Sequence, residues 1–318
     1  MRRFILRRLV TAFVMLFAVL TIVFILVHAM PGDPVLQMLG TDTNPDPAAV
    51  AALREQLGLD KPILVQYGNW VAGIFQGNLG TSYSEKIPVV ASIGTRLPRT
   101  LELAFTAMIL ACLIGLPLGV LAAKKRGRVS DLIMTALASL GTSIPVYVLG
   151  FLLVIIFSLD VFHLGFSMPS GGYTTLQKSV SGHYLRLVLP AFTLALGISA
   201  SIMRMTRSSV LEVMSGESVR ALRAKGLKER VVMVRHVVRN AFIPVVTEIG
   251  LQMGNLIGGT VLCETVFNWP GLSTLLVKAI NARDYPLIEG CVLIMSAVFI
   301  LMNMIVDILY GVLDPRVR

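Results

Sequence analysis

The sequence predicts an all-α membrane protein with six transmembrane helices and both termini on the cytoplasmic side. Three observations carry that expectation. Hydrophobic residues make up 55% of the chain and charged residues only 14%, and the mean hydropathy is +0.78, too apolar for a water-soluble globule. Six segments are apolar over the roughly 20 residues that a hydrocarbon core requires. The lysines and arginines collect beside alternate ends of those segments, which fixes their orientation. A formal net charge of +10, taken alone, suits a nucleic-acid partner. The basic residues flank apolar runs, however, and form no stripe with interleaved aromatics, so no nucleic-acid partner is expected.

Residues 1–8 form a cytoplasmic N-terminus carrying Arg2, Arg3, Arg7 and Arg8. The first span, 9–30, follows without a charge from Leu9 through Gly32. Its basic start resembles the n-region of a signal peptide, but the apolar run is too long and lacks a small-residue cleavage site, so a retained helix is expected. Residues 31–98 then form an extracytoplasmic loop, in which Arg54, Lys61, Lys86 and Arg96 face six carboxylates. Within it Asn44-Pro-Asp-Pro47 reads as a turn and Ala48–Leu57 as a short helix. The transmembrane core, 99–311, contains the spans 99–123, 132–158, 187–207, 241–264 and 286–311. Lys124, Lys125, Arg126 and Arg128 place the first of its connections inside. A second inside loop spans 208–240, and a cytoplasmic tail, 312–318, ends in Arg316 and Arg318.

The stretch Arg204–Asn240 is the most informative. It holds nine basic residues (Arg204, Arg207, Arg220, Arg223, Lys225, Lys228, Arg230, Arg235, Arg239) against Glu212, Glu217 and Glu229. That charge places it in the cytoplasm. Its middle, Glu217-Ser-Val-Arg-Ala-Leu-Arg-Ala-Lys-Gly-Leu227, reads as a short helix stopped by Gly226. A folded element in such a loop suggests a docking surface rather than a simple positive-inside anchor.

Chemistry-bearing motifs are scarce. Cys112, Cys263 and Cys291 are odd in number, far apart and within or beside spans, and read as small packing residues. The four histidines, His236 in the cationic loop among them, show no metal-ligand spacing. No phosphate loop, dinucleotide fingerprint or nucleophile elbow occurs. The chain is therefore expected to be no enzyme by itself, and uphill transport would draw its energy from an ion gradient or another subunit.

The fifth span carries the candidate path. Glu248, Gln252 and Asn255 are spaced i, i+4, i+7, so at about 100° per residue they share one stripe. Gly250, Gly254 and Gly258 lie roughly 200° around the same helix, spaced for close helix packing. Ionisable groups inside a membrane usually face a cavity or a partner. Glu102, Glu264, Asn303 and Asp307 are further polar groups at span ends, where a cap or an interhelical hydrogen bond serves as well as function. Pro117, Pro145 and Pro190 are candidate kinks or helix ends.

Several stretches together resemble the inner-membrane permease subunits of the ABC importers for dipeptides, oligopeptides, nickel and glutathione. They begin with Phe4-Ile-Leu-Arg-Arg8, His28-Ala-Met-Pro-Gly-Asp-Pro34, Leu57-Gly-Leu-Asp-Lys-Pro62, Gln66-Tyr67 and Gly77-Asn-Leu-Gly80. The cationic loop contributes Arg223-Ala-Lys-Gly-Leu227, His236-Val-Val-Arg-Asn-Ala241 and Ile243-Pro-Val-Val-Thr247. Glu264-Thr-Val-Phe-Asn-Trp-Pro-Gly-Leu272, Arg283-Asp-Tyr-Pro286 and Asp314-Pro-Arg316 complete a likeness that runs essentially end to end. Ser273 departs from it, standing where that branch usually has glycine.

The resemblance implies the type I ABC importer permease fold with a cytoplasmic coupling helix of signature E-A-A-x-x-x-G. Arg220, Ala221, Leu222, Arg223, Ala224, Lys225 and Gly226 occupy that place, with Ala221 and Gly226 as the matched positions. The leading acid is replaced, and Leu222 stands where a small residue is expected. The family further implies a homologous second permease subunit, two ABC ATPase subunits that bind ATP and Mg, an extracytoplasmic substrate-binding protein that touches the loop 31–98, and membrane lipid. No cofactor is expected on this chain itself. The setting is the bacterial cytoplasmic (inner) membrane, and peptide is the leading substrate, with nickel chelates or glutathione as the alternative. An ion-coupled carrier or a membrane receptor would fit the bare composition but not this set of motifs.

Overall fold

The computed structural model describes residues 2–39, 46–159, 161, 163 and 165–313. Among them every regular element is a helix, and the sole bridge pairs Thr81 with Pro88. In chain order, α1 (Arg2–His28) is followed by α2 (Pro34–Leu39), α3 (Pro47–Leu57) and α4 (Ile63–Phe75). Then come α5 (Val89–Lys124), α6 (Val129–Ser143), α7 (Val146–Phe157) and α8 (Val180–Ser215). The short α9 (Glu217–Ala224) and α10 (Glu229–Val231) lead through a π-helical turn, Val232–Val238, into α11 (Arg239–Gly259). Finally α12 (Val261–Val266) and α13 (Leu272–Asn281) precede α14 (Tyr285–Leu313).

Among the described residues four helices are long and apolar enough to cross a membrane: α1 over Leu6–His28, α5, α8, and α14 over Tyr285–Ile308. The expected span 132–158 is the pair α6 and α7, bent by 107° at Ile144–Pro145, where proline was a candidate helix end. Proline has no amide hydrogen to continue α6 and forces the residue before it out of the helical region. Ile144 accordingly sits at φ −81°, ψ 123°. Pro117 and Pro190, by contrast, ride inside the uninterrupted α5 and α8. The segment 241–264 is covered by α11, a helix of 21 residues or about 31 Å, and then α12. Polar Glu248, Gln252 and Asn255 lower its apolar character.

The chain divides into two compact units. One comprises Met1–Arg8, Leu101–Trp269 and Phe299–Arg318; the other comprises Leu9–Thr100 and Pro270–Val298. In the first, small residues let helices meet closely. Gly115 and Gly119 of α5 lie against the backbone of α8 at Ser199 and Met203, where a Cβ would have no room. The core around them holds Leu103, Ala107, Ile202, Val245, Phe267 and Trp269. The long α8 outruns its expected span at both ends: the Ser179 side chain caps its start by accepting from the Gly182 amide, and side-chain contacts hold its other half. Arg207 grips Asp131 of α6 with two hydrogen bonds of 2.8 Å, and Arg204 donates to Thr142 at 3.1 Å.

In the second unit α3 begins as the sequence suggests. The Asp46 side chain accepts from the Ala48 amide and Pro47 fills the first turn, while Gly58 closes the helix at φ 68°. Asn44 and Pro45 of the expected turn lie outside the described residues. The core here gathers Leu20, Val27, Val89, Ile93, Leu275 and Cys291. Asp284 ties distant loops together by accepting from the Ser82 hydroxyl at 2.5 Å and from the Ser84 amide at 2.9 Å. Cys112, Cys263 and Cys291 are free thiols.

Candidate coupling platform and polar stripe

The cationic segment folds into a capped, cushioned helix. α9 runs Glu217–Ala224, with Glu217 in its first turn, where a carboxylate suits the positive end of the helix. At the other end the Leu227 amide reaches back to the Leu222 carbonyl (3.4 Å) and the Gly226 amide to the Arg223 carbonyl (2.9 Å). This pair of bonds needs a residue in the left-handed region, and Gly226 supplies it at φ 77°.

Val219 of α9 is fully buried, and Leu222 and Leu227 pack beside it on Val210, Val232, Met233 and Val237. The opposite face shows Arg220, Ala221, Arg223, Ala224, Lys225 and Gly226 to the exterior. Leu222 therefore belongs to the cushion beneath the helix and leaves the exposed face flat. Arg223 grips Glu229 through Nε–Oε2 (3.0 Å) and Nη2–Oε1 (2.7 Å). That guanidinium holds the Glu229 carboxyl below the ordinary glutamate value. The clamp fixes α10 relative to α9 and was not read from the sequence, although a Glu six residues after an Arg across a glycine turn is its trace.

The stripe on α11 is assembled in part. Gln252 Nε2 donates to Glu248 Oε1 at 2.8 Å, both side chains being half-buried, while Asn255 is exposed. On the glycine side, Gly250 and Gly254 are buried, and a Cβ at Gly250 would overlap Val306 of α14. A Cβ at Gly254 would meet Asn303 at 3.3 Å. Gly258 differs: it is exposed and a Cβ there would meet nothing, so close packing stops one turn short of the expected run.

The remaining polar groups each have a partner. Asp307 pairs with Arg8 at 2.7 Å, and Asn303 donates to the Phe299 carbonyl. Glu102 meets His183 Nε2 at 2.6 Å, while His183 Nδ1 lies 2.7 Å from the Thr174 carbonyl. Glu264 is fully buried and accepts from the Thr260 hydroxyl at 3.3 Å.

A membrane-spanning helical bundle with a capped cationic helix on a connecting loop defines a class of transport protein, and comparison with known proteins agrees. Residues 115–318 match the family described as the inner membrane component of binding-protein-dependent transport systems, and residues 1–104 match its N-terminal region. The chain belongs to this family and is a multi-pass inner-membrane permease subunit of an ABC importer. It is 40% identical over 337 residues to the dipeptide transport system permease protein DppB of Escherichia coli K12, covering 100% of this chain and 99% of that one. It is 42% identical over 318 residues to the glutathione transport system permease protein GsiC of Salmonella typhimurium, with the same coverage. Among solved structures, the MetNI methionine ABC transporter in an inward-facing conformation shares the fold, with a TM-score of 0.56 and 20% identity. That match covers 70% of this chain and 96% of the other.

Proposed function

We propose that this chain forms half of the translocation path of an ATP-driven importer for dipeptides or oligopeptides. The observation that carries the proposal is α9: a short helix closed by Gly226, seated on a hydrophobic cushion, with Ala221, Ala224 and Gly226 on its exposed face. A flat face of small residues ringed by Arg220 and Lys225 suits insertion into a groove with acidic edges. A rigid cushion beneath it transmits force to α8 and α11, which leave and re-enter the loop. In this reading two partner ATPases bind ATP and Mg, close on each other and carry two coupling helices with them. The membrane helices then rock between inward-open and outward-open states.

The six spans run with N-terminus and C-terminus both inside, α11 serving as the fifth and the bent pair α6–α7 as the third. Basic residues at alternate ends support that orientation. The segment 31–98 then lies outside, where a substrate-binding protein delivers its cargo, and Glu248, Gln252 and Asn255 wet the path. A second, homologous permease completes it. Glutathione, itself a tripeptide, is the alternative cargo favoured by the likeness to the glutathione permease.

Replacing Ala221 or Gly226 with Trp tests the coupling face. Uptake is expected to vanish while the chain still inserts in the membrane, and normal uptake in both variants would sink the assignment. Purification from native membranes in mild detergent, with mass spectrometry, is expected to recover a second permease and ATPases with phosphate loops.

A further inference from the structure

One cavity, of about 340 Å³, lies wholly within the second unit and involves none of the residues of α9 or of the polar stripe. Phe24 and His28 of α1, Trp70 of α4, Tyr83, and Tyr285 and Glu289 of α14 line it. Its volume falls within the range of about 300–1,000 Å³ usual for small-molecule sites.

Two buried polar atoms in its wall have no hydrogen-bond partner: Glu289 Oε1, on a side chain only 5% exposed, and Trp70 Nε1. His28 Nδ1 lies 3.8 Å from that oxygen. This nitrogen is 2.9 Å from the Phe24 carbonyl, an acceptor that claims its proton. His28 Nε2 faces Gln66 Oε1 at 3.3 Å, with the Gln66 amide nitrogen engaged by the Lys61 carbonyl at 2.8 Å. Both ring nitrogens thus face other acceptors, and neither is within hydrogen-bond distance of Glu289 Oε1. A buried carboxylate oxygen and a buried indole N–H, both unsatisfied, are costly unless something else meets them.

The surroundings say what that partner is. Rings of Phe24 and Trp70 stack at 5.7 Å, and Tyr285 lies 5.1 Å from His28, so aromatic surface surrounds the carboxylate. Such faces attract cations. Glu55, Leu57 and Gly58 bring the C-terminal, negative end of α3 to the rim. Lys61 also stands at the rim, but its side chain is exposed to solvent. We propose that this cavity binds an alkylammonium group, carried either by a free amine or by the ethanolamine headgroup of a membrane phospholipid. Glu289 takes the ammonium, the rings close around it, and Trp70 donates to an oxygen carried beside the amine. The site stands apart from the coupling assignment and does not depend on it.

Ethanolamine titrated at neutral pH into the full chain, held in phosphatidylglycerol nanodiscs, tests this by calorimetry and tryptophan emission. Saturable binding is expected, weakened about tenfold or more in Glu289→Gln, the loss of one charge-assisted contact. Unchanged thermal unfolding of that variant shows that its fold is intact. Discs containing phosphatidylethanolamine separate the two sources: suppressed ethanolamine binding identifies the headgroup, and undiminished binding identifies a free amine. A response that never saturates, or equal affinity in Glu289→Gln, would overturn the proposal. So would binding that emerges only in Lys61→Gln, because the cavity would then be filled by its own lysine.

Discussion

Gly226 is the residue on which the coupling helix turns, and the cost of replacing it is conformational. A Cβ at this position meets no neighbouring atom, yet the backbone sits at φ 77°. Gly226→Ala is therefore expected to destabilise the last turn of α9 by about 1 kcal/mol, and Gly226→Asn by less, since Asn tolerates the left-handed region. Faster amide hydrogen exchange at Lys225–Leu227 in the Ala variant, and less so in the Asn variant, is the check. Glu229, held by Arg223, makes the same segment sensitive to acid. Its folded value lies below the ordinary 4.5, so the clamp contributes fully above that value and is lost as pH falls through the lower, folded one. A carboxyl-carbon titration of Glu229 should show a midpoint below the ordinary value in the intact chain. In Arg223→Gln it should return to the ordinary value, and an unshifted midpoint in the intact chain would refute the clamp.

At the scale of elements, the glycine face of α11 against α14 is a packing interface with a defined weak point. Gly250→Ala forces its new methyl into Val306 and is expected to cost about 1–3 kcal/mol. Val306→Ala alone removes only part of a half-buried side chain. The double variant should be more stable than the sum of the two losses predicts, as measured by thermal unfolding in detergent; strict additivity would mean that the helices part rather than collide. The spacing of Gly250 and Gly254 made this interface legible from sequence, because a period of four is a local property. The end of the run at Gly258 was not legible, because it depends on where the neighbouring helix diverges. Nor was the inward turn of Leu222, which is set by Val210, Val232 and Met233 beneath it. Hydropathy located α6 and α7 and Pro145 marked where a helix could end, but the size of the bend, 107°, is set by the fold.

For the whole molecule, the helical membrane class was legible because apolarity over 20 residues is a one-dimensional signal. Helix ends were less so: the expected span stops at 207, whereas α8 runs on to Ser215, with Arg204 and Arg207 held on it by Thr142 and Asp131. Glu289 was not among the polar groups singled out in the span 286–311, although an acid just inside an apolar run is the signal that marks such sites. Its partners, from Phe24 to Tyr285, are brought together only by folding. The function proposed for the whole chain makes a demand that no single element does. On that proposal the energy for transport comes from a subunit docked on α9, and the rival reading draws it from an ion gradient acting on the stripe. Proteoliposomes carrying the purified complex separate these. Peptide uptake is expected to require ATP and to persist when ionophores collapse every ion gradient, whereas gradient-dependent uptake without ATP would identify an ion-coupled carrier. In the same vesicles Glu248→Leu with Gln252→Leu removes the one hydrogen-bonded polar pair of the stripe, at 2.8 Å. A wet path should lose uptake while ATP hydrolysis continues, because α9 is untouched and its coupling to the ATPases survives. Loss of both would instead mean that the pair holds the bundle together, and loss of neither would take Glu248 and Gln252 out of the path.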